Sequence, residues 1–211
     1  WVGRHNDILP GNTIFAAMDT WSALEWLAAL LSLAAVGCIA ARRRIGFPLN
    51  ILASLLYLLV FWHSGLLGDA ALQLWFIAWL VYGWMYWKQH ENKAHLLVPR
   101  KLPASHLMRV LPLWATLSLL LGFYLSRQPQ AAFPWADAFC VAGSLIAQVL
   151  QSRAYIFNWW MWILINLVYI PVYLQKELYA TAGLYAVFLL LAVLALREWR
   201  QTEAEKKPIN V

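Results

Sequence analysis

Residues 158–173, NWWMWILINLVYIPVY, belong to an apolar run long enough to cross a bilayer, for which about 20 residues suffice. In a helix, one face of this stretch carries aromatic rings around a side-chain amide: Trp159, Trp162, Asn166, Tyr169 and Tyr173. An amide at membrane depth costs free energy unless it is hydrogen-bonded, so this face should meet protein or a cavity. The stretch therefore predicts a membrane helix that forms one wall of a binding site for a flat, partly polar ligand.

The composition indicates an integral membrane protein. The chain has 211 residues, of which 63% are hydrophobic and 12% are charged, about half the charged fraction of a soluble domain. Lys and Arg occur in short clusters between apolar runs, so the net charge of +6 reflects membrane topology and not a nucleic-acid partner. Cys38 and Cys140 lie inside predicted spans without metal-ligand spacing, and we predict no metal site and no cofactor.

Seven apolar segments are predicted to span the membrane, at about 22–41, 47–66, 70–87, 107–126, 135–151, 155–174 and 179–196. If the first loop is cytoplasmic, 13 Lys and Arg side chains fall on that side and 3 on the other. This asymmetry follows the positive-inside rule and predicts an outer N-terminus and a cytoplasmic C-terminus. Residues 1–20 lack the apolar run of a signal peptide and are expected to be an outer or interfacial segment.

The chain also resembles itself at an offset of 112 residues. Glu25 then corresponds to Asp137, while Tyr57 and Trp87 correspond to Tyr169 and Trp199. We expect two parallel triple-helix repeats joined by a linker helix, a 3+1+3 all-α arrangement with the substrate site between the repeats. The predicted divisions are 1–20, repeat 1 at 21–88, a cytoplasmic loop at 89–106, the linker helix at 107–126, repeat 2 at 132–200 and a tail at 201–211.

Side-chain amides are the polar groups that we expect in the site. Gln73 and Asn166 can recognise a carboxamide or sugar hydroxyls; their counterparts in the other repeat are Tyr185 and Ser54. The alternative is that both amides only join helices by hydrogen bonds. Glu25 and Asp137 are interpreted as charges near helix N-termini. Tryptophans near span ends are interpreted as an interfacial belt, and they are Trp21, Trp87, Trp114, Trp135 and Trp199.

An intramembrane enzyme is the rival class. It would need a nucleophile with an activating base at membrane depth. Ser144 follows Gly143, but no histidine lies at mid-membrane to activate it, so no catalytic residue is predicted.

Several motifs resemble those of the PnuC transporters. The first is Asn158-Trp159-x-x-Trp162-x-x-x-Asn166, followed by 178–180, LYA; the others are Tyr82-Gly83-Trp84-x-x-Trp87 with Gln73 before it, and 133–137, FPWAD. The resemblance covers nearly all seven spans. It implies a bacterial inner-membrane transporter of nicotinamide riboside, related to the SWEET transporters. It also implies a homotrimer and facilitated diffusion, with the substrate trapped by phosphorylation inside the cell.

The predicted substrate site combines the aromatic stripe with the amides and comprises Gln73, Trp84, Trp159, Trp160, Trp162, Asn166, Tyr169 and Tyr185. A cationic pyridinium ring binds well on Trp faces, and a carboxamide pairs with side-chain amides. No Lys or Arg is predicted at mid-membrane, so a phosphorylated substrate should be rejected. Thiamine and riboflavin, which PnuC-like relatives carry, are the alternative substrates.

Overall fold

The computed structural model describes residues 20–64, 67–129 and 132–205. Most of the predicted N-terminal segment, 1–19, and the tail from residue 206 lie outside these ranges. The described chain forms seven α-helices: α1 (Thr20–Ala40), α2 (Gly46–His63), α3 (Leu67–His90), α4 (Ala104–Leu125), α5 (Pro134–Ser152), α6 (Phe157–Gln175) and α7 (Tyr179–Ala204). The all-helical prediction is confirmed.

Five of these helices are long and apolar enough to cross a membrane by their own composition, namely α1, α2, α4, α6 and residues Thr181–Ala204 of α7. The other two, α3 and α5, carry polar side chains such as Gln73, Gln148 and Gln151, all buried in the protein. Helices α3 and α7 also extend past the predicted spans, to His90 and Ala204. Their last turns are charged and can project beyond the apolar layer.

Six helices contact one another in a closed cycle. Along the chain, α1 packs on α2, α2 on α3, α3 on α5, α5 on α6 and α6 on α7, and α7 returns to α1. Within the described residues α4 contacts only α5. Its Trp114 ring stacks on Phe139, with centroids 4.6 Å apart, and occupies the space left by Gly143, where a Cβ would lie 2.8 Å from the ring. The fold is thus a ring of six helices with α4 on the outside.

The α1–α2 and α5–α6 turns have the same backbone shape. Each contains one non-glycine residue with positive φ, Arg42 at 60° and Ala154 at 63°. Such conformations are uncommon outside glycine and persist where the surrounding structure holds them. Here each turn is held by a bond to residues 91–103, which link α3 to α4 and which we call the connecting segment. Leu97 N–H donates to Arg42 O (3.0 Å), and Arg100 N–H donates to Ala154 O (2.9 Å).

Ion pairs add to this attachment. Arg44 pairs with Glu91 of the connecting segment at 3.1 Å, and Arg42 pairs with Glu198 of α7, also at 3.1 Å. Pairs that are partly open to solvent contribute about 0–1 kcal/mol each. They therefore orient the turns more than they stabilise the fold.

We call the end of the ring at which the connecting segment binds the two turns the segment end. Four aromatic side chains fill it, and we call them the aromatic cluster: Phe47, Trp87, Trp159 and Trp199. Phe47 meets Trp87 edge-on at 4.7 Å, Trp159 meets Trp199 edge-on at 5.4 Å, and the Trp87 and Trp199 centroids are 5.7 Å apart. None of the four is more than 1% exposed.

The belt interpretation is therefore wrong for Trp87, Trp199 and Trp114, all of which are buried. Each donates its indole N–H to a backbone carbonyl of another helix. Trp87 donates to Gln151 O (3.3 Å), Trp199 to Ala40 O (3.0 Å), and Trp114 to Phe139 O (2.9 Å). A buried indole needs such a partner, and those at Gln151 and Ala40 lie in the last turns of α5 and α1.

Candidate functional site

A cavity of about 610 Å³ lies inside the six-helix ring, within the range typical of small-molecule sites. Its lining comes from α1, α2, α3, α5, α6 and α7, and no α4 residue contributes. Trp159 belongs both to this lining and to the aromatic cluster, so the cluster forms the floor of the cavity at the segment end. Glu25 and Trp26, both exposed, lie at the other end.

Five of the predicted site residues line this cavity: Gln73, Trp159, Trp162, Asn166 and Tyr185. They come from α3, α6 and α7, and the ring brings Gln73 together with residues that lie 86 or more positions later in the chain. The stripe on α6 contributes Trp159, Trp162, Asn166 and also Tyr173.

The other three predicted residues lie elsewhere. Trp160 is one residue off the stripe, 40% exposed, and has the Arg200 guanidinium over its ring at 5.3 Å. Trp84 is 43% exposed, because its neighbour Gly83 is the residue that faces Phe47 and Ser152 inside the ring. Tyr169 packs edge-on against Tyr185 behind the lining, at 5.2 Å. We therefore leave these three out of the candidate site.

The aromatic wall is held in place by α5. The Trp162 indole N–H donates to Gln151 Oε1 at 3.0 Å, which fixes the ring orientation. The Trp159 indole N–H is buried and has no hydrogen-bond partner among the described residues. The Trp159 and Trp162 indoles thus both line the cavity near its floor. The Trp159 N–H is available as a hydrogen-bond donor.

The Asn166 amide is oriented by its own helix. Its Nδ2 donates to Trp162 O, one turn earlier, at 2.8 Å. One of the two amide N–H groups is therefore used, and the amide oxygen and the second N–H remain for a ligand. Asn166 is 4% exposed, and Gln73 on the facing α3 is similarly buried. The cavity can therefore accept or donate a hydrogen bond at both Asn166 and Gln73.

Sequence reasoning missed further polar residues of the lining. These include Glu25, Asn50, Ser144, Gln148 and Gln151. The signal for α5 was present, because Ser144, Gln148 and Gln151 are spaced by four and three residues and share one helix face.

The charge of the cavity is simple. Among the described residues that line it, Glu25 is the one carboxylate, and none is Lys or Arg. Glu25 lies past the first turn of the described α1, so the interpretation as an N-terminal charge does not account for it. A low-dielectric cavity with one carboxylate and several indole faces favours a cationic ligand over an anionic one.

Comparisons with known proteins agree on one family. A family model described as nicotinamide mononucleotide transporter matches residues 22–201. The nicotinamide riboside transporter PnuC of Escherichia coli is 26% identical, over 87% of this chain and 88% of that protein. The riboflavin/roseoflavin transporter RibM of Streptomyces davaonensis is 24% identical, over 77% and 78%. A crystal structure of the vitamin B3 transporter PnuC has the same fold, with a TM-score of 0.71, 19% identity and coverage of 87% of this chain and 83% of the other.

Proposed function

The chain belongs to the nicotinamide mononucleotide transporter family, whose model matches residues 22–201, and we propose that it carries nicotinamide riboside across the bacterial inner membrane. The observation that carries the proposal is the cavity wall of Trp159 and Trp162 beside the Asn166 amide. A pyridinium ring gains about 0.5–2 kcal/mol on each indole face, depending on desolvation. The ring's carboxamide can donate to the Asn166 oxygen.

The charge of the cavity supports the riboside rather than its phosphate. A phosphate group carries up to two negative charges and needs Lys, Arg or several N–H donors when it is buried. Among the described residues, the cavity lining offers Glu25 at its exposed end and no Lys or Arg. The riboside is a cation without phosphate, so its charge complements the carboxylate. A mononucleotide would bring its phosphate into the same cavity without a counter-charge among the described lining residues.

We further propose that the ring consists of two repeats, α1–α3 and α5–α7, with α4 as the linker. Three observations support this at the offset of 112. Arg42 and Ala154, the two positive-φ residues of the matching turns, are equivalent positions. Phe47–Trp87 and Trp159–Trp199, the two edge-on pairs, are equivalent as well. The contacts α1–α2, α2–α3 and α3–α5 match α5–α6, α6–α7 and α7–α1.

This symmetry passes through the cavity. Equivalent lining positions include Ser54 and Asn166, Gln73 and Tyr185, and Phe76 and Phe188. A site on the axis between two repeats suits alternating access by rocking.

The segment end is proposed to be cytoplasmic, since Arg42, Arg43, Arg44, Lys93, Arg100 and Lys101 lie there. The closed aromatic cluster and the exposed residues at the other end then correspond to an outward-facing state. No coupling ion is required; trapping by phosphorylation in the cell and a homotrimer are proposed on the resemblance.

Titration of the purified protein tests the proposal. Nicotinamide riboside, its 5′-phosphate, riboflavin and thiamine would each be added while tryptophan fluorescence is followed, since Trp159 and Trp162 line the cavity. Micromolar binding of the riboside, with at least 100-fold weaker binding of the phosphate, is the expected result. Tighter binding of riboflavin would assign the same cavity to a flavin, and equal binding of riboside and phosphate would refute the charge argument.

A further inference from the structure

Gln148 stands out among the buried polar side chains of the cavity. It is 4% exposed and lines the cavity from α5, yet its amide Nε2 has no hydrogen-bond partner among the described residues. Its backbone oxygen lies 2.8 Å from the Ser152 hydroxyl oxygen. The side-chain amide is thus a buried donor without a partner among the described residues.

An unpaired buried donor is expensive. Leaving an amide N–H without a partner costs about 1–3 kcal/mol, and nearly all buried polar groups in proteins are hydrogen-bonded. The neighbouring polar groups of α5 do not share the problem, since Gln151 Oε1 accepts from Trp162 and the single Ser152 O–H has two acceptors within 2.8 Å, Trp79 O and Gln148 O. Methionine or leucine at position 148 would fill the space without this cost. The amide is therefore best explained by a ligand that supplies an acceptor.

The position of Gln148 indicates which part of the ligand that is. The residue shares the α5 face with Gln151, which holds the Trp162 ring, and the second unpaired donor of the cavity is the Trp159 indole N–H. Both unpaired donors therefore belong to the part of the cavity that has the indole faces. The cationic ring of the proposed substrate stacks there, and its one ring-borne acceptor is the carboxamide oxygen, because the pyridinium nitrogen has no lone pair.

We propose that Gln148 is a specificity-determining residue whose Nε2 donates to the carboxamide oxygen of nicotinamide riboside. This inference rests on the proposed function. Two hydrogen bonds then recognise the carboxamide: Gln148 donates to its oxygen, and Asn166 accepts from its nitrogen. The equivalent of Gln148 in the first repeat is Val36, which also lines the cavity but offers no hydrogen bond. The proposed repeats therefore differ at this position, because Gln148 can donate a hydrogen bond and Val36 cannot. This difference gives the planar substrate a single orientation in the cavity.

The test compares two ligands on two proteins. The ligands are nicotinamide riboside and N-ribosylpyridinium, which keeps the charge and the ribose but lacks the carboxamide. Wild type should bind the riboside about 100-fold more tightly than the truncated ligand, since the Gln148 and Asn166 contacts to the carboxamide contribute about tenfold each. In Gln148→Met this preference should fall to about tenfold, the part that Asn166 supplies, as the double-mutant cycle requires when Gln148 and the carboxamide interact. The ratio is measured within each folded protein, so a change in stability does not affect it.

Controls separate the possible failures. Gln175→Met makes the same substitution at the exposed end of α6 and should keep the full preference. Gln148→Leu replaces Gln148→Met if the latter does not purify. A preference that stays near 100-fold in the Gln148 variant overturns the inference, even though the riboside still binds. Failure of wild type to bind the riboside at all refutes the proposed function itself, and with it the role of Gln148.

Discussion

The Trp162 ring offers the sharpest test of the cationic-ring argument. Trp162 lines the cavity, is held by Gln151 and is only partly buried, whereas Trp159 is also part of the core. Trp162→Leu keeps much of the apolar volume and removes the indole face. The loss of one cation–π contact, about 0.5–2 kcal/mol, corresponds to about 2- to 30-fold weaker binding of nicotinamide riboside.

The assay uses a neutral ligand as its internal reference. Dihydronicotinamide riboside keeps the carboxamide and the ribose but carries no charge on its ring. Any effect of the mutation on the fold, or on Gln151 after it loses its partner, affects both ligands equally. Calorimetric titration should therefore show a loss for the cationic riboside that exceeds the loss for the dihydro form by about 2- to 30-fold. Trp75→Leu, at an exposed position outside the lining, should change neither. Equal losses for both ligands in Trp162→Leu would refute the reasoning.

Three further predictions concern the site, the packing and the energetics of transport. Asn166→Ala should weaken riboside binding by about tenfold, because the carboxamide loses its acceptor; unchanged affinity in a titration would remove Asn166 from the site. Gly83→Ala should lower the free energy of unfolding by about 1–3 kcal/mol, since its Cβ would lie 3.1 Å from Ser152 Cα and against the Phe47 ring. Thermal melting in detergent measures this, and Gly37→Ala, whose Cβ meets nothing within 4 Å, is the control that should not be destabilised. Riboside uptake into proteoliposomes should not respond to a protonophore or a sodium gradient; concentrative uptake that a protonophore abolishes would contradict facilitated diffusion.

Local periodicity predicted most of the fold. The seven helices follow from apolar runs of spanning length, and the resemblance to PnuC is confirmed by the family match. Within α6, helical spacing placed Trp159, Trp162 and Asn166 on one face, and all three line the cavity. These properties depend on residues within a few turns of each other, which a single sequence specifies directly.

The remaining features depend on contacts between distant helices. Trp87 and Trp199 resemble interfacial residues in the sequence, and only the closure of the ring buries them against Gln151 and Ala40. Trp84 shares a helix face with Gln73, but the packing of Gly83 against α5 turns it outward. Long-range packing of this kind has no local signature. The polar face of α5, in contrast, has a local signature, the spacing of Ser144, Gln148 and Gln151 by four and three residues.

The connecting segment has a consequence for the balance between the two halves of the ring. Leu97 and Arg100 donate backbone hydrogen bonds to the α1–α2 and α5–α6 turns, and within the described residues no equivalent segment follows α7. The proposed twofold relation between the halves is therefore broken at the segment end. If the halves rock as proposed, opening at the segment end and opening at the other end then differ in energy even with no ligand bound. Every backbone bond that must break for inner opening biases the resting population by about 0.5–1.5 kcal/mol toward the state that keeps it.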